Sequence, residues 1–257
     1  MLLAMDIGNS SISVGVFDGD GRLVTESRLK ATGGKSADEY AVLLCGIFQL
    51  KGVDRAEIDA CIVSSVVPWV TPVICEAAEF LTGVRPRLVG PGVKTGLNIR
   101  IDAQTELGAD LVADAVAALS DCRPPMVIVN MGSATTFTVI DRTGTLQGVI
   151  IAPGVRLSMD ALARCASELP DASLTPPKGL VGKNTRDSMR SGVLIGHAAM
   201  VDGMLQRIAR ETGEEELKTV VTGGQASAVL PYCETEYLHR PHLTLEGLYR
   251  IAVKNRK

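Results

Sequence analysis

The stretch MLLAMDIGNSSISVGVF, residues 1–17, sets the pattern of the whole chain. Its apolar run ends at Asp6, a turn of small residues follows from Gly8, and apolar residues then alternate with small or polar ones. This pattern predicts a buried strand, a tight turn and a second, antiparallel strand. The glycine lets a ligand approach the backbone closely, and the turn offers hydrogen-bond donors beside a carboxylate. Such a hairpin suits phosphate oxygens and a metal ion, although an ordinary N-terminal hairpin explains it equally well.

A similar stretch recurs near the middle of the chain. MDIGNSSISVGVFDGDGRLV, residues 5–24, and NMGSATTFTVIDRTGTLQGVI, residues 130–150, both indicate strand, small polar turn, strand, turn and strand. An internal repeat of this kind indicates a duplicated fold. We therefore expect an N-terminal half, residues 1–105, and a C-terminal half, residues 106–257, facing one another across a central cleft. Each half would contribute one phosphate-binding hairpin to that cleft.

Outside the hairpins, predicted helices alternate with short strands, which is typical of an α/β fold with a mixed sheet in each half. Residues 91–104 are predicted to be an irregular connection, residues 132–136 a turn and residues 169–183 a Pro-rich loop. The long helix that follows should extend to about residue 211. We expect it to be interrupted softly at its three glycines, Gly192, Gly196 and Gly203.

Composition limits the classes of function. The 257 residues are 46% hydrophobic and 4% aromatic, with a net charge of −3 and a sequence pI near 5.7. The acidic balance and the lack of a basic cluster argue against nucleic acid or an anionic membrane as a partner. No secretory signal or membrane-spanning segment is recognisable, so the sequence predicts a cytoplasmic protein. Six scattered cysteines without a CxxC pair favour neither a disulfide framework nor a zinc site.

Two further features suit phosphoryl transfer, which requires contacts to the phosphates and a group that orients the acceptor hydroxyl. Asp110 stands at the predicted start of a helix, where the helix dipole favours its ionised form. Such a carboxylate could accept the hydroxyl proton, but a helix-start acid without a chemical role is the simpler explanation of this residue alone. The Gly223–Gly224 turn leaves room for a flat ring, or is simply a tight turn. P-loop, GxSxG and HExxH signatures are absent from the sequence.

In combination, these stretches resemble the type III pantothenate kinase family of the actin-like ATPase superfamily. The resemblance covers essentially the whole chain and rests on these motifs: MDIGNSSISVGVF, IVSSVVP, GADLVADAVAAL, GSATTF, GVIIAPGVRLSMDAL, VGKNTRDSMRSG, VTGG and LTLEGL. It implies a duplicated, ribonuclease H-like fold with two mixed-sheet halves around a central cleft. It also implies ATP-dependent phosphorylation of pantothenate to 4'-phosphopantothenate, the first step of coenzyme A biosynthesis.

The resemblance also implies roles for individual residues. The first phosphate loop would comprise Asp6, Ile7, Gly8, Asn9, Ser10, Ser11, Ile12 and Ser13, with Asp6 near the Mg²⁺ of Mg·ATP. The rest of the ATP site would comprise Gly132, Ser133, Gly223 and Gly224, the last two beside the adenine. The pantothenate site would comprise Ile101, Gly108, Ala109, Asp110, Leu111 and Thr185, with Asp110 as proton acceptor. Members of the family are homodimers that require a monovalent cation, K⁺ or NH₄⁺, for which the equivalent position here is Asn130.

Three positions depart from the family pattern. An Arg of the family's GADR motif is Leu111 here, a substrate-contacting Tyr is Ile101, and the cation-binding Asp is Asn130. The first two changes would make the acceptor pocket more apolar, and the third would weaken the binding of a cation. Three functions stay open: an active pantothenate kinase with a relaxed acceptor site, a nucleotide-binding paralogue that has lost this activity, and a kinase of another small alcohol.

Overall fold

The computed structural model describes residues 1–31, 33–103, 106–165, 169–170, 172–214 and 216–256. It contains two compact units, each with its own β-sheet. The first unit comprises Met1–Leu97, Asp102–Asp121 and Leu243–Lys257, and the second comprises Asn98–Ile101 and Cys122–His242. These units differ from the predicted halves, 1–105 and 106–257, because two helices from beyond residue 105 pack on the first sheet. The central cleft stays a prediction.

Among the described residues, five strands form the sheet of the first unit: β1 Leu2–Ile7, β2 Ser11–Phe17, β3 Leu23–Lys30, β4 Ala60–Ser65 and β5 Arg87–Leu88. Their order across the sheet is β3-β2-β1-β4-β5. The first three strands are antiparallel, as the hairpin pattern predicts. In contrast, β4 runs parallel to both β1 and β5, so the sheet is mixed.

Helices cover both faces of this first sheet. α1 Ala37–Lys51 and α2 Thr71–Thr82 pack on the face that carries Met5 and Ile7, and form an apolar core with it. α3 Ala109–Asp121 contacts β4, and α7 Leu243–Lys254 contacts β1 and β2. Leu245 of α7 lies over Gly15 of β2, on the opposite face. Because side chains alternate along a strand and paired residues share a face, Asp6 is on this second face, towards α3 and α7.

In the described part of the second unit, six strands form the sheet: β6 Asn98–Ile99, β7 Met126–Met131, β8 Ala134–Ile140, β9 Thr145–Pro153, β10 Lys218–Thr222 and β11 Leu238–His239. Their order is β11-β10-β7-β8-β9-β6, so β7 to β11 repeat the arrangement of β1 to β5. Both hairpins also carry a register shift at the same place, after Val16 in β2 and after Val139 in β8. The shared topology confirms the internal repeat.

The helices of the second unit include α4 Val155–Cys165, α5 Thr185–Thr212 and α6 Ala226–Val229, which pack on the face that carries Val127 and Val129. Asn184 caps α5, because its side chain accepts a hydrogen bond from the backbone N–H of Asp187. The prediction of soft breaks in α5 was wrong, since the helix is continuous through all three glycines. Packing on the sheet outweighs the low helix propensity of isolated glycines.

Two predictions of irregular backbone were wrong in part. Residues 91–104 contain β6, which pairs parallel with β9, and a strand of two residues is too short to give a periodic signal. The turn predicted over residues 132–136 comprises only Gly132–Ser133 in the structure, because residues 134–136 belong to β8 and pair with β9. The polar threonines of this segment therefore belong to a strand, where β-branched side chains are favoured.

The helices and the cysteines bear on membrane spanning and on disulfide bonding. Within the described residues, no helix combines the length and the apolar composition that crossing a bilayer would require. All six cysteines carry free thiols. Cys61 is buried in the apolar core of the first unit, where burial raises the pKa of its thiol, so it packs as a small apolar side chain.

The contact of α7 with α3 can be tested by substitution. A methyl group added at Gly247 would overlap the carbonyl oxygen of Ala113, so Gly247→Ala should destabilise the protein by about 1–3 kcal/mol. Gly46→Ala in α1 is the matched control, since nothing lies within 4 Å of the added methyl group. It should stabilise the protein by about 0.5–1 kcal/mol. Denaturant unfolding measures both values, and equal stability of the two variants would contradict this helix packing.

Candidate active site

A row of polar side chains crosses the first sheet near the end of β1. Asp6 is paired in register with Ser13 on β2 and with Ser64 on β4. Ser13 is paired in turn with Arg28 on β3. Ser64 is fully buried, and its hydroxyl donates a hydrogen bond to Asp6 Oδ1 over 2.6 Å. Because directly paired residues share a face, all four belong to the face that α3 and α7 cover.

The start of α3 places a second carboxylate near this row. Asp110 lies in the first turn of the helix, and its carboxylate accepts hydrogen bonds from its own backbone N–H and from that of Leu111. A methyl group added at Gly108 would overlap Asp110 Oδ1 and would lie 3.5 Å from Val66 Cγ1. The absence of a side chain at Gly108 therefore lets the Asp110 carboxylate fold back over the helix start, next to the end of β4.

The pKa values of both carboxylates are raised, and the charge of Asp110 contributes to the shift at Asp6. Burial raises the pKa of Asp6, and the negative charge of Asp110 raises it further. The Ser64 hydroxyl and the Arg28 guanidinium lower it, and the resulting pKa is about 7. Burial also raises the pKa of Asp110, although its backbone hydrogen bonds oppose the shift. Two half-buried acids with raised pKa values are typical of sites that bind a cation or move a proton. The structure thus brings together the two residues predicted to be catalytic.

The turn of the first hairpin presents backbone and hydroxyl groups at the surface. The Gly8 N–H donates to the carbonyl oxygen of Ser11 over 3.0 Å, and this bond closes the turn. Asn9 and Ser10 at its tip are exposed. The two isoleucines that flank the turn, Ile7 and Ile12, are fully buried in the apolar core. Of the predicted phosphate loop, these two residues can therefore offer a ligand only their backbone.

Two glycines pack against the turn of the second hairpin, Gly132–Ser133. A methyl group added at Gly154 would overlap the carbonyl oxygens of both turn residues. A methyl group at Gly223 would lie 2.5 Å from backbone atoms of Met131, and the φ of +101° at Gly223 is one that residues with a side chain rarely adopt. The backbone N–H of Gln225 donates to the Met131 carbonyl over 2.9 Å. The structure therefore places the Gly223–Gly224 turn beside the second hairpin.

Asn130 occupies in β7 the position that Asp6 occupies in β1. It is paired in register with Thr136 on β8 and with Thr222 on β10. Thr136 Oγ1 is buried, and it has no hydrogen-bond partner in the part of the chain that the structure describes. That part also contains no group of three or more His, Cys, Asp or Glu residues that could hold a metal ion. In the second unit, a neutral amide thus stands where the first has a carboxylate, and hydroxyl residues are paired with both.

The remaining predicted substrate residues lie on different elements. Gly108, Ala109 and Leu111 surround Asp110 at the start of α3, and the Leu111 side chain is buried. Thr185 is the exposed first residue of α5, and Ile101 follows β6 closely; both belong to the second unit. The structure therefore gathers the GADL residues around Asp110, while it assigns Thr185 and Ile101 to the other unit.

Sequence reasoning missed Ser64, Arg28 and Gly154 as site residues. A signal for Ser64 was present, because two serines interrupt the apolar strand ACIVSSVV and a buried hydroxyl requires a partner. The identity of that partner depends on the parallel register of β4 with β1, which no local pattern specifies. For Gly154, the signal was a glycine directly after a proline at the end of a strand.

Comparison with solved structures establishes the fold. A chain described as a conserved Baf family transcriptional activator from Campylobacter jejuni matches with a TM-score of 0.60 and 17% identity, over 98% of each chain. A ROK family glucokinase from Streptomyces griseus matches with a TM-score of 0.53 and 12% identity, also over 98% of each chain. At these identities the similarity concerns the fold alone, which is the duplicated mixed-sheet fold of actin-like ATPases and sugar kinases.

Comparison with sequences is more specific. A type III pantothenate kinase from Geotalea daltonii is 40% identical over 257 residues, which is 100% of both chains. Another from Shouchella clausii is 41% identical over 255 residues, 99% of this chain and 100% of the relative. Fold and relatives together define a phosphotransferase of the actin-like class. The model of the type III pantothenate kinase family matches residues 2–207, and the chain belongs to that family, as its motifs indicated.

The raised pKa of Asp6 predicts a stability effect with a definite sign. Between pH 3.8 and about 7 the unfolded chain releases the Asp6 proton while the folded chain keeps it, so stability is lost as pH rises. Asp6→Asn should therefore be more stable than the wild type at pH 8, by at most about 4 kcal/mol, and the gain should vanish near pH 4. Thermal unfolding without nucleotide or Mg²⁺ measures the difference. A variant that is less stable than the wild type at pH 8 would contradict the assigned ionisation.

Proposed function

We propose that this chain transfers the γ-phosphoryl group of ATP to the hydroxyl of pantothenate, with Asp6 and Asp110 as catalytic residues. The observation that carries the proposal is the pair of half-buried carboxylates in the first unit, of which Asp110 acts electrostatically on Asp6. Phosphoryl transfer depends on charge neutralisation and positioning, and a kinase needs both an acid near the metal-bound phosphates and a base near the acceptor. Membership of the type III pantothenate kinase family supports the choice of reaction.

The proposed ATP site uses the turns of both hairpins. In the first, residues 8–11 offer backbone N–H and hydroxyl groups beside Asp6. In the second, Gly132 and Ser133 provide the matching contacts, and the Gly223–Gly224 turn beside them accommodates the adenine. The carboxylate of Asp6 suits the hydrated Mg²⁺ of Mg·ATP, because Mg²⁺ prefers oxygen ligands and keeps several waters. When bound, Mg²⁺ neutralises charge on the phosphates.

Asp110 is the proposed proton acceptor. As the pantothenate oxygen forms its bond to the γ-phosphorus, the bond from that phosphorus to the β,γ-bridging oxygen breaks, and ADP leaves with the electron pair. The hydroxyl proton passes to the carboxylate of Asp110. Burial raises the pKa of this group, which makes it a better base, while the backbone N–H groups at the helix start favour its ionised form and oppose the shift. Gly108 supports this role because it leaves the carboxylate room to fold back.

A monovalent cation is proposed beside Asn130. Amide and hydroxyl oxygens suit hard cations, and Thr136 Oγ1, paired in register with Asn130, is buried without a hydrogen-bond partner among the described residues. An unsatisfied buried oxygen of this kind fits K⁺ or NH₄⁺. Because Asn130 carries no charge, the cation should be held less tightly than by a carboxylate.

We further propose a cytoplasmic homodimer, on the strength of the family resemblance. Two apolar side chains of the second unit, Ile151 on β9 and Leu157 on α4, are 71% and 47% exposed in the single chain. Exposed apolar side chains of this size are compatible with a partner surface.

A second candidate function is a kinase-like paralogue that binds nucleotide without phosphorylating pantothenate. Leu111 favours it, because this apolar side chain is buried beside Asp110 and cannot form the paired hydrogen bonds of an Arg with a substrate carboxylate. Ile101 also favours the paralogue, because an isoleucine has no hydroxyl to contact the substrate where the family has a tyrosine. A kinase of another small, less polar alcohol would fit the same two residues.

The proposed reaction is tested with purified protein, Mg·ATP, K⁺ and pantothenate, with phosphopantothenate measured by mass spectrometry. We expect product from the wild type and a loss of at least about 100-fold in kcat for Asp110→Asn, because general bases contribute about 10²–10⁴-fold. Asp121→Asn is the matched control on the same helix, because it removes the charge of an aspartate that forms a surface ion pair with Arg250. Undiminished turnover by Asp110→Asn would contradict the assignment of the base.

The same assay distinguishes the nucleotide-binding paralogue from an active pantothenate kinase. Protection by ATP against thermal unfolding, without product from pantothenate, would support the nucleotide-binding paralogue. The double variant Leu111→Arg, Ile101→Tyr should then gain turnover if these two residues are the defect. Phosphate transfer to a different alcohol by the unmodified protein would indicate the third possibility.

A further inference from the structure

Ser64 stands out because it is a fully buried hydroxyl near the end of a largely apolar strand. The two residues before it on β4, Ile62 and Val63, are fully buried and apolar, and Ser65 after it is half-buried. A buried hydroxyl is unfavourable unless it forms a hydrogen bond, and Ser64 forms a short one, 2.6 Å from its Oγ to Asp6 Oδ1. The Ser64 hydroxyl therefore acts as a hydrogen-bond partner of Asp6 and does not add to the apolar packing of the strand.

The backbone fixes this contact firmly. Asp6 and Ser64 are partners in the parallel register of β1 and β4, and the pairs on either side of them are intact. The second unit repeats the feature, since Thr222 of β10 stands opposite Asn130 of β7 in the same parallel register. In both units a hydroxyl residue accompanies the polar residue that ends the central strand. This recurrence indicates a positional requirement.

We propose that Ser64 is a positioning residue for the kinase reaction, whose Oγ–H holds one oxygen of Asp6 so that the carboxylate keeps a fixed orientation toward Mg·ATP. The proposal rests on the proposed function, because Asp6 needs a defined orientation only if it acts on the nucleotide. A serine donates a single hydrogen bond and adds no charge, so it orients the carboxylate without neutralising it. Partners of this kind typically contribute about 10–100-fold to metal affinity or activity.

The chain offers a matched control for the loss of such a bond. Thr244 Oγ1 donates to Asp114 Oδ1 over 2.6 Å, also from a hydroxyl to a buried carboxylate of the first unit. Ser64→Ala and Thr244→Ala thus each remove one hydroxyl–carboxylate hydrogen bond of equal length. Ser64→Thr restores the hydroxyl, with Thr222 as the precedent in the second unit.

The experiment compares these three variants with the wild type for kcat, for KM of pantothenate and for Mg²⁺-dependent binding of ATP by calorimetry. Ser64→Ala should lower kcat and weaken Mg·ATP binding by about 10-fold, with the KM of pantothenate within about 2-fold of the wild type. Thr244→Ala should lose stability but keep all three constants. Ser64→Thr should recover most of the kcat that Ser64→Ala loses.

The outcomes distinguish a failure of the proposed kinase function from a failure of the role proposed for Ser64. If the wild type makes no phosphopantothenate, the proposed function fails, and calorimetry alone decides whether Ser64 orients Asp6 toward Mg·ATP. If the wild type is active but Ser64→Ala matches Thr244→Ala in kcat and in Mg·ATP binding, Ser64 has only a structural role and the proposal is overturned. A variant of Ser64 that weakens ATP binding equally with and without Mg²⁺ would overturn it as well.

Discussion

The placement of two half-buried carboxylates on one face of the first sheet is the constraint on which the site depends. Removing Asp6 and Asp110 from water disfavours their ionised forms, and their proximity adds repulsion. The surroundings offset only part of this cost, through the Ser64 hydroxyl, the Arg28 guanidinium and the backbone N–H groups at the start of α3. Such an arrangement persists in a folded protein when the rest of the unit supplies enough stability to hold it.

The helices α3 and α7 supply that support by close packing. Gly247 brings the two helices into backbone contact at Ala113, and Tyr249 of α7 stacks on Phe17 of β2 with ring centroids 4.9 Å apart. The helix α7 lies near the C-terminal end of the given sequence and belongs to the first unit, together with the N-terminal strands. The start of α3, and with it Asp110, is thereby fixed against the sheet that carries Asp6.

Duplication followed by divergence explains the contrast between the two units. Both sheets share their strand order and the register shift in the second hairpin strand. At the end of the central strand, however, Asp6 in the first unit corresponds to the neutral Asn130 in the second. The first unit therefore carries a half-buried carboxylate at this position and the second a neutral amide, while hydroxyl residues are paired with both.

Much of this could be predicted from the sequence, because hairpin alternation, capping and the repeat are local signals. Ser36 caps α1 with a capping box, which is a local signal, and the repeat is confirmed by the sheet order. What the sequence could not specify depends on pairing between distant strands and helices. The contact of Ser64 with Asp6 spans 58 positions, and the placement of α3 and α7 on the first sheet crosses the predicted boundary at residue 105.

The most direct measurement is the pKa of Asp6, followed by NMR of ¹³C-labelled aspartate carboxyl groups in the protein without nucleotide or Mg²⁺. Asp6 should titrate near pH 7, and Asp110→Asn should lower that pKa because a nearby negative charge is removed. Titration of Asp6 near 3.8, unchanged by Asp110→Asn, would contradict a site in which the two half-buried carboxylates lie close together.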